Sequence, residues 1–289
     1  AIFCVTTDSK GRVWFGSISG GGAAYYDGEK FVRFTPQNGL PGTRVSSISE
    51  DRDGHIWFSL LGVGVARYDG EKFKLFNSED GLAGHTVMSL TVDGEGQLWA
   101  PVFGGGLSRY DGAHFKHFTT EEGLVGNMSH ALARDRNGAM WFGHVEGVSR
   151  YDGQRIETFT KEDGIEGTNI ISMLIDSKDR LWLGMEWGGV NRSDGQRFEH
   201  LDIANYRGGS GGGGPHHIVE ADDGDFYFGN GLVPNEHRDG KTLEPLPLPD
   251  GVTSGTIYKD RHGRIWMNRG NHIGYLKDGA FISVVDSLG

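Results

Sequence analysis

Twelve histidines are spread through this chain of 289 residues, and several stand beside groups that extend what an imidazole can do. His144 lies close before Glu146, His272 close after Arg269, and His216 and His217 are adjacent. Imidazole changes charge near neutral pH and ligates metals, so histidine with glutamate is material for acid–base work or for a divalent metal site. Glu186 abuts Trp187, and an aromatic beside a carboxylate is material for stacking against a sugar or another ring. Histidine by itself is a loose signal. The plainer reading is an imidazole bonded to backbone or water, and for Trp187 a surface aromatic covering a loop. The choice depends on which elements hold these residues, and where.

Those elements repeat. Gly54-His55-Ile56-Trp57-Phe58, followed by Arg67-Tyr68-Asp69-Gly70, has relatives centred on Trp14, Trp99, Trp141, Trp182, Tyr227 and Trp266, about 40 residues apart. One copy reads as four short strands. Val45 to Glu50 ends at the turn Asp51-Arg52-Asp53-Gly54, and His55 to Leu60 follows. Leu61-Gly62-Val63-Gly64 leads to Val65 to Tyr68, and Asp69-Gly70 supplies the positive φ angles of a type I′ hairpin before Phe73 to Phe76. Helical repeats are excluded, because glycines and Asp-Gly turns interrupt every stretch long enough for an amphipathic helix. The expected fold is all-β: a seven-bladed β-propeller, four antiparallel strands per blade, forming one domain over 1–289. The blades fall near 1–42, 43–84, 85–126, 127–167, 168–213, 214–253 and 254–289, with the repeated Trp packed between neighbours. Each blade keeps its own four strands, so the ends are expected to meet at a blade junction.

Two repeats depart from the pattern. The fifth runs into Gly208-Gly209-Ser210-Gly211-Gly212-Gly213-Gly214, a flexible-coil composition that reads either as an engineered linker or as a natural loop. The sixth has Tyr227 for Trp and carries Pro245, Pro247 and Pro249 in its fourth strand, so it is expected to be the least regular blade.

Composition narrows the function classes. The net charge is −11 and the cations are scattered, which argues against nucleic-acid binding. The single cysteine, Cys4, sits in an apolar run and reads as a buried core thiol. No stretch has the length of a membrane span. The first residues already lie inside the first repeat, as in a mature or excised module.

The pattern carried by Val45, Ser47, Ile48, Asp51, Gly54 and Ile56 to Phe58, then Gly64, Val65 and Arg67 to Gly70, resembles the two-component regulator propeller repeat. The resemblance implies a sensor-type propeller of the extracytoplasmic region of hybrid two-component histidine kinases. It also implies a periplasmic or secreted location, and flanking sensor-kinase domains as partners.

In such a topology the turns joining first to second and third to fourth strands lie on one face and are nearly identical between copies. Connections joining second to third strands, and those between blades, lie on the other face and vary, which is where binding residues collect. Candidates on the variable face are Phe103, His144 with Glu146, Glu186 with Trp187, and Arg269 with His272. The blade junctions add Arg44, His85, His130, His216 and His217. His217 stands where other first strands carry Cys4, Ser47, Ser89, Ala131, Ser172 and Thr256, all small. The expected function is a ligand-binding or sensory module taking a small molecule or glycan on the variable face, with no cofactor. One alternative is a metal-assisted lyase or hydrolase. Streptogramin-type lyases on seven-bladed propellers use His and Glu with a magnesium ion at the channel mouth, and His144, Glu146, His217 and His272 are the groups available for that. A third reading is an engineered propeller scaffold. The Asp51-Arg52-Asp53-Gly54 turn superficially suggests calcium but lacks the downstream bidentate Glu, so it reads as a turn.

Overall fold

The computed structural model describes residues 2–193, 195–201, 214–222, 224–229, 235–238, 242–245, 254–260, 262–269, 272–277 and 280–285. Regular structure among them is β-strand, apart from four single-turn 3-10 segments at Pro36–Asn38, Ser78–Asp80, Thr120–Glu122 and Lys161–Asp163. The chain divides into two compact units, Ala1–Phe159 and Thr160–Gly289.

The first unit holds four antiparallel sheets, each with its strands in chain order. The first blade is Ile2–Thr7, Val13–Ser17, Gly22–Tyr26 and Phe31–Phe34, and the second is Val45–Glu50, Ile56–Leu60, Gly64–Tyr68 and Phe73–Phe76. The third is Thr91–Val92, Leu98–Val102, Gly106–Tyr110 and Phe115–Phe118; the fourth is Ser129–Arg134, Met140–His144, Val148–Tyr151 and Ile156–Phe159. In the second unit the fifth blade is Thr168–Ile175, Leu181–Trp187, Val190–Ser193 and Phe198–Leu201. The last is Ser254–Lys259, Ile265–Arg269, His272–Lys277 and Ala280–Val285. Among the described residues no sheet draws a strand from another repeat. Within each unit, successive blades meet along their inner strands, first strand on first strand or, between the third and fourth blades, Leu98–Val102 on Ser129–Arg134.

One device repeats through these blades. The Asp that opens the first turn accepts the indole N–H of the Trp six positions on: Asp8 from Trp14 at 2.8 Å, Asp51 from Trp57 at 2.8 Å, Asp93 from Trp99 at 2.7 Å. Asp135 with Trp141, Asp176 with Trp182 and Asp260 with Trp266 do the same at 3.1, 2.8 and 2.8 Å. The other carboxylate oxygen accepts backbone N–H groups of the turn, such as Lys178 and Arg180 on Asp176. The hairpin and the indole are thus tied by one carboxylate, and the indole keeps its only donor satisfied when buried. The Trp faces then pack between blades as expected. Trp14 meets Phe58 edge-on at 5.6 Å, Trp99 meets Phe142 at 5.2 Å and Trp182 meets Phe226 at 4.3 Å. The Arg opposite the Trp on the third strand lies over the ring, as Arg67 does on Trp57 and Arg109 on Trp99. Between blades, the Leu that follows the junction glycine plugs the next core: Leu40, Leu82 and Leu124 are buried, and Gly81 before Leu82 takes a left-handed φ of 94° to turn it inward.

The expectation of a seven-bladed propeller is corrected here: the described residues hold six blades built on this clasp, from repeats one to five and seven. The sixth repeat forms a divergent sheet, His217–Glu220, Phe226–Gly229, Asn235–Arg238 and Thr242–Pro245. Only the inner pair of strands has described side chains. The physical reason is the lost clasp. Ala221 occupies the Asp position and Tyr227 the Trp position, although the backbone turn survives through Ala221 N to Asp225 O at 2.8 Å. Of the prolines on which irregularity is expected, Pro245 pairs with Asn235, while Pro247 and Pro249 lie outside the described residues, as does Gly208 to Gly213 of the Gly/Ser run. Cys4 is half-buried against the core cluster that holds Val45, and desolvation pushes its thiol up to about 12.

Candidate functional site

The fourth blade breaks the apolar pattern at its variable-loop end. The last residue of its second strand, His144, pairs with the first residue of its first strand, Ser129. The same two positions carry Val45 with Leu60, Val87 with Val102 and Ile170 with Met185 in the second, third and fifth blades. All six of those aliphatic side chains are buried, and so are Ser129 and His144, at 0% exposure each. The first blade has Ile2 with Ser17, whose hydroxyl is satisfied by its own loop at Ser19 N and Gly21 N. Ser129 Oγ and both ring nitrogens of His144, in contrast, make no hydrogen bond. Buried polar groups are almost always paired, because an unpaired one keeps its full desolvation cost. Burial, with the adjacent imidazole of His130, pushes the His144 pKa down to about 4; the facing Gly126 carbonyl opposes this without forming a bond of normal geometry. At neutral pH His144 is therefore the uncharged imidazole, one donor and one acceptor.

Three other candidates gather around this pair. His130 follows Ser129 on the same strand, next to a β-bulge in the register. Phe103, from the second-to-third connection of the preceding blade, lies against it with ring centroids 5.9 Å apart and planes tilted by 58°. Phe103 is 49% exposed, so one face of an aromatic corner is open. Glu146 sits in the tight turn closed by His144 N to Gly147 O at 2.8 Å, with its carboxylate against Gly126. Ser129 escapes a reading of the sequence because serine is common on first strands. Its signal is its register with Val45, Val87 and Ile170.

A second group lies in the other unit. Asn169, at a left-handed φ of 58°, donates its amide to Glu186, and Trp187 beside it is 48% exposed. Burial lowers the His216 pKa, and the Glu186 carboxylate opposes that shift. Nothing in the sequence pattern singles out Asn169. His217 opens its strand opposite Gly229 and is half-buried. The remaining candidates stand apart. Arg44 is exposed and donates to Ile18 O at 3.1 Å, and His85 is exposed and contacts Ser78 Oγ at 3.2 Å. Arg269 and His272 pair across their hairpin, with side chains outside the described residues.

Among the described residues, three ligating groups come within reach of one cation only at Asp51, Asp53 and His55. The oxygens of Asp51 are already engaged: Oδ1 accepts from Asp53 N and His55 N, and Oδ2 from Trp57 Nε1, with His55 Nδ1 at 3.1 Å. His55 stands where Arg12, Arg180 and Arg264 clasp their own Asp, so the group belongs to the blade clasp.

No curated protein matches the chain in sequence. A family profile described as Two component regulator propeller matches residues 39–61. Among solved structures, the fold is similar to the extracellular domain of a putative hybrid two component system from B. thetaiotaomicron, at 20% identity and a TM-score of 0.75. That match covers 92% of this chain and 37% of the other, so the chain spans little more than a third of that protein. It is similar also to a catalytically inactive virginiamycin B lyase from Staphylococcus aureus, solved with quinupristin, at 16% identity and a TM-score of 0.75 over 93% and 91% of the two chains. The extracellular domain of a putative one component system from B. thetaiotaomicron matches at 16% identity and a TM-score of 0.54, over 97% and 51%. At these identities the likeness is one of fold. The chain is an all-β protein of propeller blades that carries the two component regulator propeller repeat.

Proposed function

We propose that the chain is a sensory ligand-binding module working outside the cytoplasm, and that a small molecule or glycan binds at the variable-loop end of the fourth blade. The observation that carries the reading is the buried, unpartnered Ser129–His144 pair, where three other blades place aliphatic pairs. A buried polar pair without partners is costly to keep, and a bound group that satisfies it gives a reason for its presence. The exposed Phe103 ring, set at an angle to His130, offers the apolar contact that small-molecule sites combine with a few placed polar groups. The sensory role and the location rest on the repeat and on fold likeness to extracellular sensor domains. Among the described residues no helix is long and apolar enough to cross a membrane.

The test is a thermal-shift screen of mono- and oligosaccharides and small polar metabolites. Wild type is compared with the double variant Ser129→Val/His144→Leu, which installs the aliphatic pair of the neighbouring blades. A compound that raises the wild-type Tm and not that of the variant supports the reading. Compounds that shift both equally, or none that shifts either, sink it. A shift abolished only by Trp187→Ala would move the site to the second group.

A further inference from the structure

We infer that the fourth-blade site selects an uncharged ligand, which inserts a hydroxyl or carboxamide between Ser129 and His144 and rests its apolar side on Phe103. The inference rests on the ligand-binding reading above and names the chemistry of that site.

Three observations lead to it. The first is the donor–acceptor count. A neutral imidazole offers one N–H and one lone pair, and a serine hydroxyl offers one O–H and its lone pairs. At Ser129 and His144 all of these are buried without a hydrogen bond of normal geometry, the Gly126 carbonyl being the one backbone group that acts on the ring. A carboxylate brings acceptors and no donor, and an ammonium brings donors and no acceptor, so either leaves part of the pair unmet. A hydroxyl or carboxamide brings both.

The second is charge. Burial already expels the proton from His144, and the groups acting on that ring are His130 and the Gly126 carbonyl, with no guanidinium, ammonium or carboxylate among them. Glu146 turns its carboxylate onto Gly126. An ion brought to the pair would be desolvated there, with the carboxylate of Glu146 engaged on Gly126 rather than on the pair, which discriminates against ionised ligands.

The third is shape. The pair is fully covered, whereas Phe103 is half exposed. The polar head is the inserted part and the apolar body stays at the rim against the aromatic corner of Phe103 and His130. Water meets the same donor–acceptor count and is the competitor to be distinguished.

The test uses the whole chain and four probes sharing one ring: benzyl alcohol, benzamide, benzylamine and benzoate, titrated at pH 7.5 and followed by the histidine ring resonances and by Tm. The expected result is binding of benzyl alcohol or benzamide at least tenfold tighter than benzylamine and benzoate. His144 and His130 resonances move, and the effect is lost in Ser129→Val/His144→Leu. Which uncharged probe binds tighter separates a hydroxyl head from a carboxamide head. If a charged probe binds as well as the uncharged ones and the variant abolishes it, the charge rule is overturned while the site stands. If every response persists in the variant, both the rule and the site fall. If no probe perturbs His144, a resident water occupies the pair and the inference fails, while the ligand screen still judges the binding reading separately.

Discussion

His144 and Ser129 occupy positions that the second, third and fifth blades fill with Val45 and Leu60, Val87 and Val102, and Ile170 and Met185. Each unpaired buried polar group carries a desolvation cost of about 1–3 kcal/mol, and replacing both with apolar groups of similar size removes it. The Ser129→Val/His144→Leu variant should therefore fold and gain about 1–2 kcal/mol, read as a higher urea midpoint with an unchanged slope. A loss of stability would mean that the pair is already satisfied within the folded chain. The residue types alone flag His144, since a histidine on the variable face is unusual. They cannot reveal that both its nitrogens are unpaired, because that depends on what the preceding blade and the Gly126 turn present to it.

The blade owes its shape to the Asp–Trp clasp, and that clasp is visible in the sequence as a constant six-residue spacing. Read as turn formers, Asp8, Asp51, Asp93, Asp135, Asp176 and Asp260 explain the hairpin but not the indole. Once the Trp is buried, its N–H needs an acceptor, and the turn Asp is the group in reach. Asp176→Ala would strand the Trp182 indole N–H and the turn amides of Lys178 and Arg180. The cost should be about 3 kcal/mol, as for a buried charged acceptor, measured by denaturation. The converse belongs to the sixth repeat, where Ala221 and Tyr227 replace the pair and Asp225 sits at the position held by Arg180 in the fifth. A new Asp at 221 would face Asp225, so the informative variant is Ala221→Asp/Asp225→Gln/Tyr227→Trp, with glutamine as at Gln97. Its turn backbone is already in place, and a gain of about 1–2 kcal/mol is expected. A loss would show that the divergence of this sheet lies in its outer strands instead. This also explains why strand count is legible in the sequence and blade equivalence is not: hairpin signals persist in the sixth repeat after the clasp is gone.

At the scale of the molecule, the buried imidazole links the site to stability through pH. An unfolded histidine takes up a proton near pH 6.5, whereas His144 in the fold resists it until about pH 4. Between these values the unfolded chain binds the extra proton, so stability falls as the pH drops through this window, by about 3 kcal/mol in total. His216, lowered by burial, acts in the same direction, so the slope of the wild type alone does not isolate His144. The clasp carboxylates respond elsewhere. Burial pushes Asp176 and Asp260 up, but the indole and arginine hydrogen bonds outweigh it and hold both below the usual range, so their contribution is lost only as pH falls further. Ser129→Val/His144→Leu removes one titrating group and leaves His216 and the clasps in place, so the difference between the two proteins belongs to His144. In urea midpoints taken from pH 7.5 down to about pH 4, the wild type should lose about 3 kcal/mol more than the variant. Parallel curves would mean that the folded His144 accepts its proton as readily as an unfolded one. The neutral imidazole would then be lost as a premise, and the preference for uncharged ligands with it.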